Sequence, residues 1–105
     1  MEEFVCLRVR AEKDEAEADF AARLTRFWTY MLRQHQAEFE KVYAETSAFE
    51  LDSGRLSRCY LAEGHAVPFL ESEIRNAGFE LAPIDLDDCL SKYEATAPEW
   101  MQIEH

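Results

Sequence analysis

Residues 63–78, with the sequence EGHAVPFLESEIRNAG, carry the clearest start and stop signals in the chain. Pro68 suits the first turn of a helix, because a backbone N–H would have no intrahelical partner there. Gly78 suits the position just after a helix end, where the backbone often turns left-handed. The stretch therefore predicts a short helix over residues 68–77, and the fold follows from what lies on either side of it.

Strands are predicted on both sides of this helix. The sequence FVCLRVR, Phe4–Arg10, alternates with the period of two that is typical of a strand. Residues 47–61 predict a β-hairpin, since two apolar runs flank a Ser-Gly turn signal. Residues 79–84, FELAPI, predict a last strand, and a short helical appendix is expected from Leu86 to about Ala95.

A long amphipathic helix is predicted from about Lys13 to Ala44, without glycine or proline inside it. At 1.5 Å per residue it would span about 45 Å, which is longer than a small domain needs. Two alternatives follow: the helix breaks near Gln34–Gln36, or its far end packs on a partner subunit. Aromatic residues and a histidine on its apolar arc are candidate interface residues: Trp28, His35 and Phe39.

The order of the predicted elements is βαββαβ followed by a helical appendix. This order specifies a ferredoxin-like plan, in which two helices cover one face of a four-stranded antiparallel sheet. We expect one α+β domain over residues 1–105, with an unusually long first helix. The first and third strands would lie side by side at the centre.

Alternation assigns a face to each strand residue. Val5, Leu7 and Val9 are expected to face the helices, and on the third strand the small set Ser57, Cys59 and Leu61 is expected to do the same. A hairpin with Leu51 opposite Leu56 and Phe49 opposite Arg58 is predicted. The open face would then gather candidate ligand-binding residues, Arg8, Arg10, Arg58 and Tyr60, among candidate interface residues, Phe4, Phe49, Leu51 and Leu56.

Composition limits the possible functions. The chain has 105 residues, with 22 acidic and 11 basic residues and a formal net charge of −11. Nucleic-acid or anionic-membrane binding needs clustered Lys and Arg, so neither is expected. The acidic charge permits a basic protein partner, although solubility is its simpler explanation. The N-terminus shows no signal-peptide pattern and no apolar run reaches a membrane-spanning length, so a cytoplasmic location is predicted.

The chemistry-bearing residues favour no catalytic site. The three cysteines have no CxxC spacing, so we expect reduced thiols and no metal or cofactor. A Cys59–His65 pair is the best nucleophilic candidate, but the spacing does not force contact. His65 precedes a helix start without a capping side chain, where N–H groups can hold an anion. A solvent-facing or capping histidine is the simpler interpretation.

Three functional hypotheses follow. The first is a non-catalytic binding or regulatory module, acting through protein contacts and forming a homodimer. The second is a dimeric α+β-barrel type of small-molecule-binding protein or enzyme, in which the arginines hold an anionic ligand. The third is an acidic inhibitor or immunity-type protein that binds a basic partner.

Overall fold

The computed structural model describes residues 4–46, 48–52, 54–89 and 91, and it has an α+β fold. Five strands form one antiparallel sheet. They are β1 (Phe4–Arg10), β2 (Val42–Glu45), β3 (Phe49–Asp52), β4 (Arg55–Glu63) and β5 (Glu80–Ala82). The helices are α1 (Glu17–Gln34), α2 (Gln36–Phe39) and α3 (Val67–Asn76), with a 3-10 turn at Gly64–Ala66. No helix in this part of the chain is both long and apolar enough to cross a bilayer.

The long strand β4 organises the sheet. Its neighbour on one side is β1, which in turn pairs with β5. Its other edge pairs with both β2 and β3, at residues 60–62 and 55–57 respectively. The sheet therefore has five strands rather than the predicted four, because residues 42–45 form a strand and not the end of the first helix.

The first helix is shorter than predicted. Helix α1 buries an apolar stripe with helical spacing, Phe20, Leu24, Phe27 and Met31. The chain leaves helical geometry at His35, with φ −141° and ψ 55°, and the four-residue helix α2 follows. Of the two predicted alternatives, the break near Gln34–Gln36 is the one that the structure has.

Helix α3 ends as its sequence predicts. Gly78 has a positive φ of 92°, which a residue with a side chain adopts at a cost. The N–H of Phe79 donates to the carbonyl of Ile74, and that of Gly78 donates to the carbonyl of Arg75. This pair of bonds is a Schellman ending, which satisfies the last carbonyls of the helix and turns the chain into β5.

The predicted face of β4 is wrong. Leu7 pairs with Tyr60 and Val9 with Arg58, and residues directly opposite each other share a face of the sheet. Tyr60 is 2% exposed and belongs to the hydrophobic core beneath the helices, and Leu56 packs against the same core. The large ring of Tyr60 fills the space between the sheet and the helices. The smaller side chains of Ser57 and Cys59 would have left much of that space empty.

The predicted hairpin register is also wrong. Phe49 pairs with Ser57 and Glu50 with Leu56, with a shift before the Asp52–Arg55 pair. The irregularity near the turn moves each partner by one position and so changes which face each side chain takes. The side chain of Leu51 lies outside the part of the chain that the structure describes.

The second face of the sheet is not open along its whole length. Residues 86–89 are helical, and Cys89 forms a disulfide with Cys6 on β1, so this structure differs from the expected three reduced cysteines and keeps only Cys59 as a thiol. Arg8 on the same face is only 5% exposed. Its buried guanidinium donates hydrogen bonds to the hydroxyl of Ser57 and to the carbonyl of Pro83. The rest of the predicted appendix, beyond residue 91, lies outside the described residues.

Candidate ligand pocket

A cavity of about 360 Å³ lies between helix α1 and the edge of the sheet where β2 pairs with β4. Its volume falls at the lower end of the range of small-molecule pockets, roughly 300–1,000 Å³. Helix α1 supplies one wall and the two strands supply the other. The lining is mainly apolar and aromatic: Leu24, Trp28, Leu32, Phe39, Val42, Tyr43, Ala44 and Tyr60.

Aromatic rings set the shape of the cavity. The rings of Trp28 and Tyr60 lie 4.9 Å apart, and those of Trp28 and Phe39 lie 6.1 Å apart. Phe27 packs against Trp28 from the core side at 4.7 Å. Such tilted and edge-on ring pairs fix side-chain positions beyond simple burial. The wall is therefore preformed and suits a flat apolar molecule.

Three buried donors line this cavity and make no hydrogen bond of ordinary geometry among the described residues: the indole N–H of Trp28, the hydroxyl of Tyr60 and the Nε–H of Arg58. The Tyr60 hydroxyl lies close enough to the Trp28 indole and to the Glu45 carboxylate for both groups to affect its pKa. An unmet buried donor costs about 1–3 kcal/mol, so native structures rarely keep one without a reason. Three such donors at one cavity give it the capacity to bind a group that accepts hydrogen bonds.

One ion pair lies at the polar end of the cavity. Glu45 on β2 pairs with Tyr60 on β4 in the sheet register, and its carboxylate lies 3.6 Å from Arg58 Nη1. Arg58 and Glu45 are one-fifth to one-quarter exposed, so the pair stands at the boundary between cavity and water. The guanidinium retains further N–H groups that can donate to a ligand.

The Tyr60 phenol stays neutral. Burial raises its pKa well above the ordinary value of 10, and the nearby carboxylate of Glu45 adds to the rise. A phenol of this kind donates a hydrogen bond but does not supply a phenolate. Such a phenol can donate to a bound molecule and orient it, but it is not itself an activated base for proton transfer near neutral pH.

The structure divides the predicted ligand-binding residues into separate groups. Arg58 and Tyr60 meet at the cavity, on the helix side of the sheet. Arg10 instead forms an ion pair with Glu80, which also holds Arg55 at 2.7 Å. These arginines lower the pKa of Glu80, with the hydrogen bond from Arg55 as the main cause. Arg8 and Arg10 therefore lie on the other face from Arg58.

His65 belongs to a third group. Its Nε2 hydrogen-bonds to Glu63, whose carboxylate also accepts a bond from the hydroxyl of Tyr43. These contacts keep the pKa of Glu63 below its ordinary value, the Tyr43 bond foremost. His65 therefore lies beside Glu63, and Cys59 lies within 4.8 Å of the sulfur atoms of Cys6 and Cys89.

The predicted interface residues also lie in different places. Trp28 and Phe39 line the cavity. His35 sits at the helix break between two rings, Tyr30 at 5.6 Å and Phe69 at 4.9 Å, which gives it a packing role. Phe4 is 42% exposed and contacts Tyr43, whereas Leu56 packs against the core. Phe49 lies in the strand that pairs with the start of β4.

Sequence reasoning missed the contribution of β2. Val42, Tyr43 and Glu45 all line the cavity, yet the predicted long helix included Val42 and Tyr43 and ended just before Glu45. The β-branched and aromatic pair Val-Tyr after Phe39 was the available signal, since such residues favour strands. Without that strand, Glu45 had no predicted neighbour.

Comparison with models of known protein families, with curated proteins and with solved structures finds no match for this chain.

Proposed function

We propose that this protein is a non-catalytic binding module whose ligand is a small, planar aromatic molecule carrying a carboxylate or carbonyl acceptor. The observation that carries the proposal is the set of three buried donors at one aromatic cavity, on Trp28, Tyr60 and Arg58. A flat ring suits the aromatic walls, and an acceptor group satisfies the donors. This is the second sequence hypothesis in its binding form, moved to the helix side of the sheet.

Charge gives the proposal a direction. The chain is strongly acidic, but at physiological ionic strength salt screens the effect of exposed charges beyond about 8–10 Å. Within the cavity the nearest basic group is Arg58, and Glu45 balances only part of its donor capacity. We therefore expect a carboxylate to bind better than an ammonium on the same ring.

Titration of the protein with 2-naphthoate, followed by ¹H–¹⁵N NMR, tests the proposal. We expect shifts concentrated on residues that line the cavity, such as Thr25, Thr29 and Ala44. The matched probe 2-naphthylmethylammonium keeps the ring and reverses the charge, and it should bind more weakly. Shifts that map to the other sheet face, or tighter binding of the ammonium probe, would overturn the proposal.

Variants at the cavity provide the second test. Arg58→Gln removes the charge, and Arg75→Gln on the exposed side of α3 is its matched control. We expect the first to weaken 2-naphthoate binding by roughly 10-fold, the effect of losing a charged hydrogen bond. The control should leave the affinity unchanged.

A homodimer is the second proposal, and an exposed apolar patch favours it. Phe4, Leu32 and Tyr43 are each more than 40% exposed, and the latter two lie at the mouth of the cavity. Exposed apolar clusters of this kind are typical of interfaces. Light scattering at high micromolar concentration should give twice the chain mass of 12.2 kDa. A strict monomer would remove the dimer and leave the ligand proposal intact.

The ferredoxin-like plan also remains a proposal. Strands β2 and β3 pair with successive parts of one edge of β4, so together they can occupy the place of one strand. The sheet order then supports a βαββαβ plan with an interrupted second strand. The third hypothesis, an acidic inhibitor of a basic protein, stays a prediction from composition alone.

A further inference from the structure

We infer that Cys6, Cys59 and Cys89 form a Cu⁺ site in the reduced protein, and that the Cys6–Cys89 disulfide is the oxidised form of the same three-cysteine cluster. The three sulfur atoms lie within 4.8 Å of one another, although their residues are far apart in sequence. Cys6 and Cys89 are bonded in the structure, and Cys59 stands beside them as the third sulfur.

The sheet brings the sulfurs together. Cys6 pairs with Leu61 on β4 and Arg8 pairs with Cys59, so Cys6 and Cys59 are diagonal neighbours on one face. The helical residues 86–89 place Cys89 against the same face of the sheet, where it is bonded to Cys6. Cys59 and Cys89 are almost completely buried, at 0% and 2% exposure. The cluster is therefore fixed by three separate elements and largely shielded from water.

The spacing suits one metal ion. Metal–sulfur bonds of about 2.3 Å in a trigonal plane place the sulfurs about 4 Å apart. Once the disulfide is reduced, side-chain rotation alone can bring the two released thiols to that separation. No histidine or carboxylate among the described residues joins the group as a fourth ligand.

The donor set selects the metal. Thiolates favour soft ions, chiefly Cu⁺ and Zn²⁺. Structural Zn²⁺ is almost always tetrahedral and takes four ligands. Three sulfurs in a buried place therefore fit Cu⁺ better. Arg8, 5% exposed on the same face, places a positive charge near the thiolates and offsets part of theirs.

The reaction balances with a dithiol reductant. The reductant transfers two electrons to the Cys6–Cys89 bond, which gives two thiols and leaves the reductant as a disulfide. Cu⁺ then binds the three sulfurs and displaces their protons to solvent. A reducing cytoplasm, the compartment predicted from the sequence, would hold the cysteines in this binding-competent state.

Anaerobic titration of the reduced protein with Cu⁺, in competition with the colorimetric chelator bicinchoninate, tests the inference. We expect one Cu⁺ per chain, with three sulfur neighbours in the X-ray absorption spectrum. The oxidised protein is the internal control, because the disulfide leaves one thiol and should lower the affinity at least ~10-fold. Equal binding by the two forms, or none by the reduced form, would overturn the inference.

Two further measurements sharpen the result. Cys59→Ser keeps the disulfide partners and removes the third sulfur, so its reduced form should also lose at least ~10-fold in Cu⁺ affinity, with an unchanged circular dichroism spectrum. If this variant fails to fold, the comparison of Cu⁺ affinity between the reduced and the oxidised wild-type protein still tests the inference. A parallel titration with Zn²⁺ in which Zn²⁺ displaces the Cu⁺ would contradict the choice of metal.

Discussion

The indole of Trp28 and the phenol of Tyr60 lie 4.9 Å apart at an angle of 50°, and the buried donor on each ring makes no hydrogen bond of ordinary geometry among the described residues. Two large side chains thus complete the core and leave their polar atoms at one cavity. The core alone needs only the rings. The donors are the part of the arrangement that the proposed ligand would explain.

Tyr60→Phe separates these two roles. The substitution keeps the ring and removes a buried hydroxyl that makes no hydrogen bond of ordinary geometry, so we expect the free energy of unfolding to rise or to change by less than about 1 kcal/mol. The affinity for 2-naphthoate should fall about 2- to 10-fold, the value of one hydrogen bond. Chemical denaturation and NMR titration measure the two effects. Tyr30→Phe, an exposed tyrosine outside this cavity, is the control.

A large loss of stability in Tyr60→Phe would contradict this account of the hydroxyl. It would mean that the hydroxyl already has a strong partner within the folded chain. An unchanged affinity in a stable variant would instead remove Tyr60 from the binding site.

The pair formed by Glu15 and Arg23 predicts a pH dependence of stability. Arg23 donates two hydrogen bonds of 2.8 Å to the Glu15 carboxylate and lowers its pKa. A carboxyl with a lower pKa in the folded state stabilises that state above the pKa of the unfolded chain, about 4.3. The contribution is lost as the pH falls through the folded value.

Glu15→Gln should therefore reduce stability by about 0.5–1 kcal/mol at pH 7, since both partners are partly exposed to water. Its curve of unfolding free energy against pH should also fall less steeply below pH 4.3 than that of the wild type. Glu17→Gln, an exposed acid in the first turn of α1, is the matched control. Parallel curves for the wild type and Glu15→Gln would show that the ion pair contributes nothing.

The disulfide predicts a redox dependence of stability. It joins residues 83 positions apart, and closing so long a loop restricts the unfolded chain strongly. We expect reduction in a metal chelator to lower the free energy of unfolding by about 2–4 kcal/mol. Urea denaturation with and without reductant measures the change. Cys89→Ser should show the same loss without reductant and no further loss with it.

The elements predicted from neighbouring residues agree closely with the structure. Strand β1 has the predicted bounds, and Gly78 ends α3 as its position predicts. Both depend on neighbours within a few residues. The face of β4 depended instead on the size of the space beneath the helices, which sequence alternation does not report. Tyr60 entered that space, and the smaller Ser57 and Cys59 went to the other face.

The candidate sites were harder to predict for the same reason. Arg58 and Tyr60 were identified as ligand-binding candidates, but their partner Glu45 lies in the strand that was taken for helix. The cysteine cluster required Cys6 and Cys59 on one face, whereas the predicted faces separated them. Both errors concern contacts between residues distant in sequence, which no periodicity encodes.

Gly78 provides a test of the helix ending that is independent of any ligand. An added Cβ would meet no atom within 4 Å, so a substitution there changes only the cost of the backbone conformation at φ +92°. Gly78→Ala should lower the free energy of unfolding by about 1–2 kcal/mol, the cost of left-handed geometry for an ordinary residue. Gly78→Asn should lose less, because asparagine tolerates that region better. Thermal and chemical denaturation measure the series, and an alanine variant as stable as the wild type would show that the Schellman ending is not formed in solution.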